Sequence, residues 1–257
     1  MPAEPGHPHH SGHAVEPDPW LRAAPALVVA AAPAVGYLVA ARRAATGPRG
    51  WSRWRTAAWL LGCAAVALAL SPVLAGHDPR AHVARHLLLG MVAPLGLVLG
   101  APVTLLLRVA DPRTRRWVGR VLRSRPVHVL GHPAVAALLS VGGLYAVMLT
   151  PLHRAAEHDL VLHHVLNLHH LAAGYLFTWS IAGPDPAPRR PGTTTRAVVF
   201  VLAAAAHAVL AKLLYADALA LPPAGAGEAE ALRAAARLMY YGGDLAELAL
   251  ATALFAG

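Results

Sequence analysis

Seven long apolar blocks, separated by short polar stretches, dominate the pattern of hydrophobic and polar positions along the chain. Alanine and leucine, both good helix formers, make up most of each block. A bilayer core about 30 Å thick is crossed by a helix of roughly 20 apolar residues, and several blocks reach that length. The pattern therefore predicts an all-α, polytopic transmembrane bundle of about seven helices. The blocks lie at about 21–41, 56–75, 82–108, 132–152, 159–182, 196–219 and 232–256.

The chain divides into a tail, residues 1–20, and the seven-helix domain, residues 21–257. The tail is rich in proline, glycine and histidine, so we expect it to be disordered. It lacks the basic segment of a cleavable signal peptide. Within the third block, Pro94 and Pro102 predict a kink or a broken turn. Overall, 56% of the residues are hydrophobic and 14% charged, against about 25% charged in an ordinary soluble domain. The composition therefore disfavours a soluble globular fold.

Arginine is distributed unequally between the six connections, and this predicts the orientation. The even-numbered connections instead carry acidic residues, such as Asp78 and Glu228. Cytoplasmic loops are enriched in basic residues, so the N-terminus is expected outside and the C-terminus in the cytoplasm of a bacterial plasma membrane. The first, third and fifth connections hold Arg42, Arg43, Arg49, Arg53, Arg55, Arg108, Arg113, Arg115, Arg116, Arg120, Arg123, Arg125, Arg189, Arg190 and Arg196.

The net charge of +9 does not indicate nucleic-acid binding, because 21 of the 22 basic residues are arginines crowded between apolar blocks. That pattern is typical of loops that face anionic lipid, so the expected partner is membrane lipid and not nucleic acid. Cys63 is the only cysteine and lies within an apolar block, which excludes an intramolecular disulfide and a thiolate-pair metal site.

Sixteen histidines provide the candidate chemistry, and most fall in the predicted outer half of the membrane. His82 and His86 are four positions apart and share a helix face, as do His163 and His170, while His207 lies near the middle of the sixth block. Polar residues inside hydrocarbon usually face the bundle interior. Imidazole is a common ligand for copper, zinc and iron, and a cluster without cysteine suits copper.

Plainer interpretations compete with metal binding at each position. A single histidine is more often a hydrogen-bonded core or interfacial residue, which we prefer for His77, His128 and His132. Met91 and Met148 can assist copper but are more often packing residues. The tail histidines either capture metal loosely or belong to low-complexity sequence; they are His7, His9, His10 and His13.

Two carboxylates, Asp244 and Glu247, lie on one face of the seventh helix. Intramembrane carboxylates indicate function by default, and these can complete a metal site, pair with a histidine or relay a proton. Motifs for hydrolysis or nucleotide binding, such as a serine-nucleophile elbow or a Walker loop, are absent from the sequence. We expect a binding protein and not an enzyme.

Two segments resemble the multi-spanning CtaG-type cytochrome c oxidase assembly proteins. The stretch HVARHLLLGMVAPLGLVLGAP, residues 82–102, is similar to the family's outer HMxxH and following leucine-rich helix, with Val83 in place of methionine. The stretch LHHVLNLHHLAAGYLFTWSIAGPDP, residues 162–186, resembles its later histidine-rich helix. His132, His207 and Asp244 also match, although Leu245 replaces the usual glutamine. The resemblance covers roughly residues 56–256.

The resemblance implies a role in maturing a haem–copper oxidase, through copper supply to the oxidase subunits. Two alternatives stay open: a haem-binding electron carrier, with His86 and His170 as axial ligands, and a proton-coupled transporter using Asp244 and Glu247. The metal-ligand candidates are His82, His86, His163, His164, His170, His207 and Asp244.

Overall fold

The computed structural model describes residues 19–74, 76, 78–187, 189–219 and 226–256. The predicted disordered tail lies outside the described residues except for Pro19 and Trp20, which begin the first helix. His77 also lies outside them. Within the described ranges the secondary structure is helical and no β-strand occurs, so the all-α prediction is confirmed.

Thirteen α-helices occur within the described ranges. Two π-helical turns, Leu88–Val92 and Leu138–Gly142, join α3 to α4 and α8 to α9, and a 3₁₀ turn spans Pro72–Leu74. The α-helices are α1 (Pro19–Ala45), α2 (Arg53–Ala69), α3 (Pro79–Leu87), α4 (Ala93–Leu99), α5 (Pro102–Val109), α6 (Pro112–Leu122), α7 (Arg125–Leu130), α8 (Pro133–Ala137), α9 (Gly143–Leu149), α10 (Leu152–His158), α11 (Leu160–Ala182), α12 (Thr193–Leu219) and α13 (Ala226–Ala256).

In the part of the chain that the structure describes, two helical stretches are long and apolar enough to cross a membrane, Pro79–Val109 and Thr193–Ala218. A third apolar stretch, Pro133–Leu149, is shorter. The seven spans and their orientation stay predictions. The arginine-rich third connection contains two further helices, α6 and α7, which the sequence pattern did not predict.

Aspartate followed by proline starts two of these helices, α3 and α6. Asp78 accepts a hydrogen bond from the amide of Arg80 at the start of α3, and Asp111 accepts bonds from Arg113 and Thr114 at the start of α6. The carboxylate satisfies amides that have no partner within the helix, and proline fits the first turn. The bonds from Thr114, and then that from Arg113, hold the pKa of Asp111 below its ordinary value.

The prediction of a kink or a broken turn at the prolines of the third block is confirmed by the broken turn before Pro102. Pro94 cannot donate to the carbonyl of Gly90 and its ring crowds that group, and the turn just before it is wide and π-helical. The chain then leaves helical geometry at Ala101, whose φ is 50°, before Pro102 starts α5. The block is thus a bent rod with a break near its end.

The bent rod, α3 with α4, lies at the centre of the packing and contacts α2, α11 and α13. Glycines allow two of these contacts to be close. A Cβ atom on Gly96 of α4 would lie 2.6 Å from the carbonyl oxygen of Ala58 on α2, and one on Gly174 of α11 would overlap the carbonyl of Gly90. Small residues therefore bring α11 against the π-helical turn that follows His86.

Candidate functional site

Three buried imidazoles from three helices meet beside the bent rod. His86 comes from α3, His170 from α11 and His207 from α12, and their exposed fractions are 7%, 8% and 5%. The ring centroid of His86 lies 5.1 Å from that of His170 and 6.3 Å from that of His207. We refer to these three residues as the imidazole cluster.

Glycines make room for the cluster on its neighbouring helices. A Cβ atom on Gly90 would lie 3.1 Å from the ring of His86, and one on Gly243 of α13 would overlap the ring of His207. The close approach at Gly174 lies one turn beyond His170 on the same helix. A larger side chain at any of these positions would push the rings apart, so the local sequence is compatible with their convergence.

Each ring of the cluster has a buried nitrogen without a hydrogen-bond partner among the described residues. These atoms are Nδ1 of His86, Nε2 of His170 and Nε2 of His207. Leaving a buried polar group unsatisfied costs about 1–3 kcal/mol, so folded proteins rarely do it without a reason. Three such nitrogens in neighbouring rings are candidate ligands for a metal ion, because an imidazole nitrogen can supply a lone pair to it.

A carboxylate on α13 orients His207. Oε1 of Glu247 lies 3.4 Å from Nδ1 of His207, and both side chains are largely buried. An ionised carboxylate only accepts, so this contact favours the imidazole tautomer with its proton on Nδ1 and a free lone pair on Nε2. Asp244, the carboxylate that the sequence favoured, is exposed on the same helix. Glu247 is therefore the acidic residue next to the imidazole cluster.

A cavity of about 50 Å³ adjoins two of the imidazoles. Liquid water occupies about 30 Å³ per molecule, so the cavity accommodates a water molecule or an ion. The ring centroids of His86 and His170 are 5.1 Å apart, which leaves no space for a porphyrin ring between them in this arrangement. The lining includes His86, Met91, Ser140, Thr178, His207 and Glu247.

Among the described residues, no three His, Cys, Asp or Glu side chains are arranged to hold a metal ion together. The rings of the cluster are close, but their nitrogens do not converge on one point as they stand. Binding an ion through them requires the rings to turn, and the adjoining cavity supplies space for that. The thioether of Met91 lines the same cavity as His86 and His207 and adds a soft ligand.

The other predicted histidine ligands are not part of the imidazole cluster. His163 contacts Nη1 of Arg85 at 3.3 Å. His164 is exposed, and its Nδ1 lies 2.7 Å from the carbonyl oxygen of Leu160 in its own helix. His82 lies one turn before His86 on α3. The sequence predicted two pairs of histidines that share a helix face, His82 with His86 and His163 with His170. One member of each pair, His86 and His170, enters the cluster.

Two further histidines have structural contacts. Nε2 of His169 lies 3.1 Å from the carbonyl oxygen of Leu139, within the second π-helical turn. Nδ1 of His132 accepts from the amide of Ala134 and caps the start of α8. The plain interpretation preferred for His132 is thereby confirmed, and His169, although adjacent to His170, serves a different contact.

Sequence reasoning missed the role of Asp185, which is 3% exposed. Its two carboxylate oxygens accept from the amides of Val103 and Thr104 at 3.0 and 2.7 Å, and from the hydroxyl of Thr104 at 2.6 Å. The turn after α11 thus caps the start of α5, joining the ends of the two segments that carry the family resemblance. An acidic residue between two prolines was the available signal.

Two arginines hold the C-terminal end of α11. Arg190 donates to the carbonyls of Gly183, Trp179 and Asp185, and Arg196 donates to that of Ile181 at 2.7 Å. Positive charge is favourable at a helix C-terminus, where carbonyls lack partners. Burial, and then the charge of Arg196, lower the pKa of Arg190. The two guanidinium groups therefore lie close enough to repel each other.

Comparison with known proteins identifies one family. Residues 35–257 match the family described as cytochrome c oxidase caa3 assembly factor. The chain is 40% identical over 169 residues to the uncharacterized protein Mb0105 of Mycobacterium bovis, and 34% identical over 166 residues to the uncharacterized protein ML1998 of Mycobacterium leprae. Each alignment covers 61% of this chain and 25% of the relative, so the chain spans about a quarter of their length. No solved structure matches the chain significantly.

Proposed function

We propose, from the premise that the chain belongs to the cytochrome c oxidase caa3 assembly factor family, that it supplies copper to the oxidase from a bacterial plasma membrane. In this proposal the protein is a multi-pass bundle with its N-terminus outside, and the imidazole cluster holds the copper. It acts as a binding protein and not as an enzyme. Its partners are the oxidase subunits and the surrounding lipid.

Placement in the membrane is supported by the two long apolar helices and by the position of the arginines. The C-terminal end of α11 is held by Arg190 and Arg196, whereas His163 and His170 lie in its first half. The arginine-rich end and the histidine-rich end of this helix are thus opposite. With the arginine-rich end in the cytoplasm, the histidines lie toward the outer side.

The observation that carries the copper proposal is the set of three buried imidazole nitrogens without partners. Imidazole and thioether are suitable ligands for copper, and the cavity beside His86 and His207 also has Met91 in its lining. Cys63, the only thiol, lies elsewhere, on α2. Glu247 would hold His207 with the Nε2 lone pair free for the ion.

The haem and transporter alternatives receive less support. A haem between His86 and His170 needs the two rings farther apart than the 5.1 Å that separates their centroids. A proton path through both acidic residues of α13 needs Asp244 and Glu247 to face the same interior, but Asp244 is exposed.

A gene deletion with complementation tests the role in oxidase assembly. The deletion strain should assemble an oxidase with reduced copper content and activity, and added copper should restore part of both. Complementation with His86→Ala/His207→Ala should fail, whereas His164→Ala should restore full activity because that ring is exposed and bonded within its own helix. A fully active, copper-replete oxidase in the double variant would refute the proposed mechanism.

A further inference from the structure

A large groove opens on the arginine-rich end of the bundle; it contains no residue of the imidazole cluster, although Leu95 lines both the groove and the cavity beside the cluster. Its volume is about 950 Å³, near the upper end of the range of roughly 300–1,000 Å³ typical of pockets for organic ligands. Most of its wall is apolar and includes Leu95, Leu99, Leu245 and Leu248. One end of the groove is different, because Arg190 and Arg196 line it there.

The two arginines form a fixed pair of positive charges with unused donors. The terminal nitrogens of Arg190 donate three bonds to backbone carbonyls, and those of Arg196 donate one bond to a backbone carbonyl and one to Oγ1 of Thr193. A guanidinium has five N–H donors, so both retain capacity for an oxygen-rich anion. The carboxylate of Asp185, whose backbone carbonyl accepts from Arg190, is already committed to the start of α5.

Charge complementarity identifies the occupant. Two cations held near each other by the backbone repel, and an anion between them removes that repulsion. Phosphate suits guanidinium groups, which are pre-organised by their existing bonds. The adjoining apolar wall has exposed leucines, of which Leu248 is 65% exposed. A phosphate joined to a long hydrocarbon chain satisfies both parts of the groove.

We propose that this groove, the Arg190/Arg196 groove, binds one anionic phospholipid of the cytoplasmic leaflet. The phosphate contacts the two guanidinium groups, and an acyl chain lies along the leucines of α4 and α13. This inference rests on the membrane orientation proposed above, but it does not depend on copper binding.

Native mass spectrometry of the full chain, released from nanodiscs, tests the inference. Nanodiscs that contain equal amounts of phosphatidylglycerol and phosphatidylcholine should yield protein with one retained phosphatidylglycerol. Leu248→Trp, which fills the groove without altering its charges, should reduce the retained lipid by about tenfold. Leu202→Trp is the matched control, because Leu202 is also 65% exposed and does not line the groove.

The headgroup contact is tested with Arg196→Gln, which should remove the preference for phosphatidylglycerol, against Arg113→Gln, an exposed arginine outside the groove. Because Arg196 also holds α11, the thermal unfolding of the Arg196→Gln protein is measured in parallel. If that protein does not fold, the lipid retained by Leu248→Trp decides the test. Equal retention of both lipids, an unchanged Leu248→Trp protein, or a protein segment crosslinked in the groove would overturn the inference.

Copper content measured on the same preparations separates the two proposals. Leu248→Trp should keep the copper content of the unaltered chain, since the groove and the imidazole cluster are distinct. An unaltered chain that binds copper but shows no lipid selectivity contradicts only the lipid inference. Lipid retention in a protein that binds no copper contradicts only the proposed function.

Discussion

At the scale of single residues, the site depends on which side of a helix a polar group faces. The sequence placed Asp244 and Glu247 on one face of α13, but a rotation of a few tens of degrees about the helix axis separates an exposed position from an inward one. The structure resolves this: Glu247 contacts His207 and Asp244 is exposed. Gly243, one position before Asp244, packs on the ring of His207, which fixes the rotation of the helix.

Glu247→Gln removes the charge that favours the Nδ1-protonated form of His207 while preserving the size of the side chain. We expect copper affinity to fall by about 10–100-fold, the usual effect of losing a group that orients a metal ligand. Asp244→Asn, three positions earlier on the same helix, should leave the affinity unchanged. Competition titration with a copper chelator measures both. A larger effect of Asp244→Asn than of Glu247→Gln would contradict the assignment.

The limits of sequence reasoning follow from the same residues. His86, His170 and His207 were predicted as candidates from their spacing and their intramembrane position. Spacing along one helix could not show that His163 contacts Arg85 or that His164 binds a carbonyl of its own turn. Those outcomes depend on the rotation of α11 against α3, which is set by the glycines at 90 and 174 and by the π-helical turn.

At the scale of elements, the apolar blocks predicted the long helices, and the prolines predicted the bend in the third block. The two helices of the third connection were missed because their polar composition resembles that of a loop. The link from Asp185 to α5 was also missed, because it joins residues about 80 positions apart. Such a contact leaves no periodic signal in one sequence.

Asp185→Asn tests this link. Both carboxylate oxygens accept from amides, so an asparagine must direct its NH₂ group at one of them, and we expect a loss of about 1–3 kcal/mol in unfolding free energy. Asp159→Asn is the control: one oxygen, Oδ1, accepts both amides at the start of α11, and asparagine caps a helix as well as aspartate. Thermal unfolding in detergent compares them. Equal stabilities would show that the link contributes little.

At the scale of the whole molecule, the account requires the arginine-rich and histidine-rich ends to lie on opposite sides of a membrane. Apolar length alone supports two spans in the structure. The remaining spans and the orientation rest on the distribution of arginine between the connections.

Cysteine labelling tests the orientation. In a Cys63→Ala background, Thr150→Cys and Glu228→Cys should react with an impermeant thiol reagent in intact cells. Thr46→Cys and Thr193→Cys, in arginine-rich connections, should react only after permeabilisation. All four positions are exposed, so accessibility within the protein does not limit the reaction. Labelling of Thr46→Cys in intact cells would contradict the proposed orientation.

The most direct test of the copper account is the copper content of the purified full chain after anaerobic loading and washing. Substituting His7, His9, His10 and His13 by alanine first removes loose binding by the tail. The account predicts a single copper ion per chain in this background, and its loss on further substitution of His86 and His207 by alanine. Undiminished copper content after the substitution of His86 and His207, or no bound copper in the variant that lacks only the tail histidines, would contradict the account.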